Sequence, residues 1–248
     1  MNNINISFLP TQEDLDIIEE WLIAEDKQKP FSGFYCNWKN SILPACHENR
    51  MLIISVDGKP IGFQTWLNYE RTSIIQIAEI KPGFRKQGHG RMLTEALMET
   101  LKAQNVVVVK LHCQPSEAEV AWKKLGFKNY PDVVGFSSYN NFEQGRTLYR
   151  ILLDYAKPTK RELSGERIEL WSIDSYLSDK HPSMWKWPIK FKKGSRILVK
   201  PIVAPAIHKW NISWQTDHLT FKESQIKNFL PDKIDFDTFL IIEELPII

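Results

Sequence analysis

The sequence predicts an α/β fold for residues 1–154 and a smaller β-rich domain for residues 166–248, joined by a linker over 155–165. Three observations carry this division. A β-branched apolar run from Ile74 to Ile80 passes through a glycine-containing segment, residues 82–90, into a helical stretch from Arg91 to Lys102. Helix-spaced and strand-like runs alternate on both sides of that junction. Past residue 154 the texture changes: Trp171, Trp185, Trp187, Trp210 and Trp214, five of the nine tryptophans, crowd into short strand-like runs.

In chain order, Thr11-Gln12-Glu13-Asp14 reads as a helix cap ahead of the apolar spacing of Leu15, Ile18, Trp21 and Leu22. Asp57-Gly58 lies between strand-like residues 51–56 and 60–67, a hairpin signal. In the 74–80 strand, alternation places Ile74, Gln76, Ala78 and Ile80 on one face and Ile75, Ile77 and Glu79 on the other. Residues 106–111 read as a buried strand, 116–125 as a short helix and 147–153 as a further strand. The polar 155–165 segment carries Pro158 and Gly165, as linkers and exposed turns do. Beyond it, 168–173, 184–191, 196–203, 207–215 and 239–242 read as short strands, Lys193-Gly194 as a turn and 223–229 as one helix. Trp185 and Trp187 share a strand face, as core residues or as an aromatic platform for a ligand.

A net charge of +2, from 32 basic and 30 acidic residues, supplies no global field toward nucleic acid or a membrane surface, so neither is expected as a partner. No apolar run reaches the length of a membrane-spanning helix, and Met1-Asn2-Asn3-Ile4-Asn5 has no signal-peptide organisation; a cytoplasmic location is expected. Cys36, Cys46 and Cys113 form an odd set without metal-ligand spacing, which fits reduced thiols and predicts no metal.

The junction holds the chemistry. A strand that runs through glycines into a helix leaves several backbone N–H groups unpaired at one place, where the helix dipole adds partial positive charge. Gly88 and Gly90 allow a ligand to approach the backbone closely, and Arg85 with Lys86 supplies charge. The expected ligand group is a phosphate or pyrophosphate. Neither the Walker spacing nor the dinucleotide fingerprint is present.

Arg85-x-x-Gly88-x-Gly90, preceded by Ile80-x-Pro82 and followed by an amphipathic helix, resembles the coenzyme A pyrophosphate signature of the GNAT N-acetyltransferase superfamily. Leu125-Gly126-Phe127 resembles the Leu-Gly-Phe that closes a second region of the same superfamily, and the likeness extends over about residues 3–154. It implies a mixed central sheet flanked by helices, acetyl-CoA as co-substrate, and a small-molecule or peptide amine as acceptor. Carried over residue by residue, it assigns coenzyme binding to Ala78, Ile80, Arg85, Lys86, Gln87, Gly88, His89, Gly90 and Arg91. The 74–80 strand would splay from its neighbour and hold the pantetheine arm through the main chains of Ala78, Glu79 and Ile80.

The chain departs from the family at the proton-transfer positions. Where some members have a glutamate base stands Ile74, leaving Glu79 as the nearest carboxylate, with an ion pair to Lys81 or Lys110 as its alternative role. Trp122 stands where many members have the tyrosine thought to protonate the leaving thiolate; an indole N–H donates a hydrogen bond but delivers no proton. Tyr130 and Tyr139 are the neighbouring phenols. Pro115, between Gln114 and Ser116, occupies a position often held by asparagine. His89, read as lining the cleft, and His112 are the nearby imidazoles. Two functions follow. One is an acetyl-CoA-dependent N-acetyltransferase whose C-terminal domain shapes or covers the acceptor site. The other is a non-catalytic acyl-CoA-binding protein whose Trp-rich domain mediates protein interaction, a homodimer included.

Overall fold

The structure, a computed structural model, describes residues 3–28, 34–114, 118–131, 146–172, 181–229, 234–235 and 238–247. They divide into two compact units, one comprising the chain up to Asn129 with residues 146–152, the other Tyr130 and the chain from Leu153 onward.

In the first unit, β1 (Ile4–Ser7) precedes α1 (Gln12–Gln28). The Thr11 hydroxyl and main chain engage the Asp14 carboxylate at 2.8 Å while the Asp14 N–H donates back to Thr11 Oγ1, so the expected cap forms. A wide helical turn over Trp38–Ile42 runs into α2 (Leu43–His47), which leads to β2 (Met51–Val56) and β3 (Lys59–Asn68). Their hairpin turn has left-handed φ at both Asp57 (49°) and Gly58 (78°), the conformation that matches strand twist. β4 (Thr72–Ile80), α3 (His89–Ala103), β5 (Val108–Cys113), α4 (Glu119–Lys124), β6 (Lys128–Asn129) and β7 (Arg146–Ile151) complete the unit.

The seven strands form one mixed sheet in the order β1-β2-β3-β4-β5-β7-β6, parallel only between β4 and β5. Every residue of β2 is buried because both sheet faces are covered. On one face Leu15, Ile18, Trp21 and Leu22 of α1 pack on Ile53, Phe63 and Ile77. On the other, Leu93, Leu97, Met98 and Leu101 of α3 pack on Leu52, Trp66, Ile75 and Leu111.

Ile75 and Ile77 therefore lie on opposite faces, which corrects the simple alternation expected for this strand. Thr65 pairs with Ile77 but Trp66 pairs with Ile75, so Gln76 is an extra residue that bulges from the β3–β4 ladder. One unpaired residue reverses the parity on either side of it. Ala78 and Ile80 accordingly share the α3 face with Ile75, and Glu79 shares the α1 face with Ile77.

In the second unit, β12 (Thr220–Gln225), β11 (Asn211–Gln215), β8 (Arg167–Trp171) and β9 (Trp185–Pro188) form an antiparallel sheet in that order. β10 (Ile197–Pro205), β14 (Phe239–Glu244) and the short β13 (Ile234–Asp235) form a second. The helix expected over 223–229 is instead the end of β12 followed by a single tight turn, Ile226–Asn228. Pairing with β11, from Asn211↔Gln225 to Gln215↔Thr220, outweighs the local propensity. In the 155–165 segment, Ala156 bridges to Ile202 and Thr159 to Lys186. Among the described residues no helix is long and apolar enough to cross a membrane.

Trp187 is fully buried, lies 6.1 Å from the Trp185 ring, and its Nε1 donates to the Ala156 carbonyl at 3.1 Å. Trp187→Ala is expected to cost the second unit about 3–5 kcal/mol in a urea titration, since it leaves both a cavity and an unpaired carbonyl.

Candidate active site

The left-handed Gly88 (φ 90°) stands at the N-cap of α3, and no side chain caps the helix. Its carbonyl accepts from the Arg91 and Met92 N–H groups at 3.0 and 3.1 Å, while the amides just ahead of these lie in the turn whose N–H groups have no intrahelical partner. A Cβ built on Gly88 would meet nothing within 4 Å, and one on Gly90 would meet only Ile80 Cγ1, at 3.6 Å. Both glycines border a cavity of about 730 Å³. Ala78, Ile80 and Gln64 wall it on the sheet side, Lys86 and Arg91 on the loop side, and Trp122 of α4 with Leu125 just after that helix.

The cavity opens where the sheet comes apart. Pairing of β4 with β5 runs from Thr72↔Val108 only to Ile75↔Leu111, so the last five residues of β4 lack that neighbour. The Lys81 N–H donates to the Ile61 carbonyl. By antiparallel alternation Glu79 also turns its main chain to β3, and Ala78 and Ile80 turn theirs to the vacated side. The expected splay is thus present. The Ile80 groups are already engaged: its N–H donates to Glu79 Oε1 at 2.9 Å and its carbonyl accepts from Arg85 Nε at 2.7 Å.

Arg85 is tied further. Its Nη2 donates to Glu25 Oε1 at 2.8 Å and to Glu79 Oε1 at 2.9 Å, so one guanidinium bridges two carboxylates from α1 and β4. The expected partners of Glu79, Lys81 and Lys110, give way to Arg85. The Glu79 side chain is only 14% exposed, and burial pushes its carboxyl above the ordinary glutamate value, against the opposing pull of Arg85. A carboxyl raised in this way is shifted in the direction that makes a carboxylate a stronger base.

The remaining candidates separate. Lys86 adopts left-handed φ (63°) and borders the cavity, as does Arg91. Gln87 reaches back to the Gly83 carbonyl at 3.0 Å, bracing the loop from within. The His89 side chain does not line the cleft: it is buried, with Nδ1 3.1 Å from the Phe84 carbonyl and its ring 6.2 Å from that of Phe84. Only its main chain remains at the helix start. Tyr130 is buried in the second unit, edge-on to Phe239 at 5.5 Å, and is not part of the cavity wall. His112 is exposed on β5. Tyr139, Pro115 and Ser116 lie outside the described residues.

Residues 47–129 match the family model described as the acetyltransferase (GNAT) domain. That match places a GNAT domain at residues 47–129. No curated protein matches it in sequence. Among solved structures it is similar to Ard1 from Thermoplasma volcanium (21% identity over 61% of this chain and 99% of that one, TM-score 0.47). It is similar also to the PaiA N-acetyltransferase from Thermoplasma acidophilum in complex with coenzyme A (18% identity, 60% and 99%, TM-score 0.47). A third is a GNAT-family acetyltransferase from Staphylococcus aureus (17%, 61% and 100%, TM-score 0.48).

Two parts of the candidate site were not anticipated from sequence. Gln64 is buried and donates to Thr94 Oγ1 of α3 at 2.7 Å, while its Oε1, also buried, meets no partner among the described residues. A glutamine inside the apolar run 60–67 was the available signal. Glu25, which anchors Arg85, sits one helical turn after the buried Trp21, and nothing local to either residue announces the pair.

Trp122 borders the cavity and packs edge-on to Phe127, at 5.2 Å and 71°. Because an indole supplies shape but no acid, Trp122→Phe is expected to change coenzyme A affinity by less than about threefold in a thermal-shift titration.

Proposed function

We propose that the protein is an acetyl-CoA-dependent N-acetyltransferase that acylates a primary amine. The observation that supports this most directly is the coincidence, in one cavity, of an uncapped glycine-rich helix start with the unpaired end of β4. The fit to coenzyme A is steric as well as electrostatic, since side chains at Gly88 and Gly90 would enter the space a pyrophosphate needs. Lys86 and Arg91 flank that space, and the Ala78 main chain faces the channel a pantetheine arm would follow. The coenzyme supplies an activated acetyl group as a thioester.

This chain's residues orient that group and handle the proton. An amine must lose a proton to become nucleophilic, and the departing thiolate must gain one. Glu79 is the carboxylate best suited to accept the first: it is buried, its pKa is raised, and it lies at the splayed strand end. No phenol stands at the Trp122 position, so the second proton comes from solvent or from the acceptor itself. Thiol release from acetyl-CoA, measured with a panel of amino acids, polyamines, aminoglycosides and peptides, tests the reading; binding of coenzyme A without turnover of any amine would favour the acyl-CoA-binding alternative.

A further inference from the structure

Arg85 meets two carboxylates with one nitrogen. Its Nη2 donates to Glu25 Oε1 of α1 at 2.8 Å and to Glu79 Oε1 of β4 at 2.9 Å, while its Nε is held by the Ile80 carbonyl. Both carboxylates are largely buried, their side chains 18% and 14% exposed. Two oxygens bound to one nitrogen stand within the roughly 4–6 Å over which like charges oppose each other's ionisation. Glu25 Oε2 is buried without a partner, so Arg85 is the group that compensates Glu25 among the described residues.

The other surroundings of Glu79 are sparse. β3 sets the apolar Phe63 opposite it, and β5 has already separated from β4 at this point. Lys81 borders the α1 side of the loop with Glu25 and Arg85 but forms no ion pair with either carboxylate. The Ile80 N–H falls on Oε1, the oxygen that Arg85 also holds, and Oε2 has no hydrogen-bond partner among the described residues. Burial raises the Glu79 carboxyl most; Arg85 pulls it down, and the charge of Glu25 pushes it up again.

We propose that Glu25 is a positioning residue that holds Arg85 between two carboxylates, so that Glu79, at the wall of the coenzyme cavity, keeps a greater affinity for a proton than an undivided ion pair would leave it. Its bearing on acetyl transfer rests on the reading above; the coupling of the two carboxylates does not.

The coupling can be measured without turnover. Carbon-13 NMR of the glutamate carboxyls, on the full chain without coenzyme, would follow the Glu79 signal with pH, assigned by its loss in Glu79→Gln. Glu25→Gln keeps an acceptor for Arg85 but no charge, and it is expected to lower the Glu79 midpoint by about one pH unit. Arg85→Gln should move the same midpoint the other way, which loss of packing at the loop would not do selectively. In the unmodified protein the Glu25 and Glu79 signals should each titrate in two steps, as coupled groups do, and this holds the test open should a variant not fold. Where an amine is turned over, the acid limb of kcat/KM should move to lower pH in Glu25→Gln by the interval the midpoint moves. An unmoved Glu79 midpoint in Glu25→Gln, shifts of one sign in both variants, or independent single-step titration in the unmodified protein would overturn the proposal. The expected shifts in a protein that binds no coenzyme A would uphold the coupling and overturn the acetyltransferase reading instead.

Discussion

Gly90→Trp is expected to abolish the stabilisation of the protein by coenzyme A. A ligand held only by the folded loop raises unfolding free energy by mass action, about 2.7 kcal/mol at a hundredfold excess over Kd. For the unmodified chain that is a rise of several degrees in the melting midpoint. The Gly90 Cβ direction leads toward Ile80 and the cavity with no clash nearer than 3.6 Å, so the indole would occupy the pyrophosphate space without breaking α3. Gly90→Ala serves as the control for folding, since alanine is the better helix former. Gly88 is a poorer place to test this, because its φ of 90° strains any other residue by about 1–3 kcal/mol whatever the space available. A coenzyme shift of normal size in Gly90→Trp would remove the pyrophosphate site from the loop.

Glu79→Gln is expected to lower kcat by about 100-fold or more near neutral pH while leaving coenzyme A affinity within a few fold. The amide keeps the shape and an acceptor for the Ile80 N–H and Arg85 but cannot take a proton. The base form of Glu79 exists only above its raised pKa, so kcat/KM of the unmodified enzyme should fall on the acid side of that value, and Glu79→Gln should lose that limb. Stability runs in the opposite direction. With the folded-state pKa above the unfolded one, the contribution of Glu79 is fully present below the ordinary carboxylate value and is lost as pH rises through the raised value. Unfolding titrations across that interval should show this slope, and the variant should lack it. Near-normal turnover with an unchanged acid limb would assign Glu79 to holding Arg85 alone.

The geometry of the junction was legible because it is local. Gly88 and Gly90 at that spacing, a β-branched run before them and a helical period after them specify strand, loop and open helix end with little help from the rest of the chain. Thr11 and Asp14 likewise start α1, whose buried residues are those its period marked, and Asp57-Gly58 turns β2 into β3. What the period of a strand does not contain is its neighbour's register. The bulge at Gln76 and the end of β4–β5 pairing at Ile75↔Leu111 arise between segments remote in sequence, yet they decide which face Glu79 occupies and whether the Ala78 main chain is open. Arg85 meets Glu25, 60 residues away, and His89 turns inward to Phe84, so the charges and rings read as facing the ligand are partly spent on the fold. At 223–229 pairing with β11 set a strand where the local pattern suggested a helix. Backbone propensity and glycine spacing act within a few residues and are written in the sequence directly; ladder register, ion-pair partners and the direction of a buried ring depend on which distant surfaces meet, and only tertiary packing settles those.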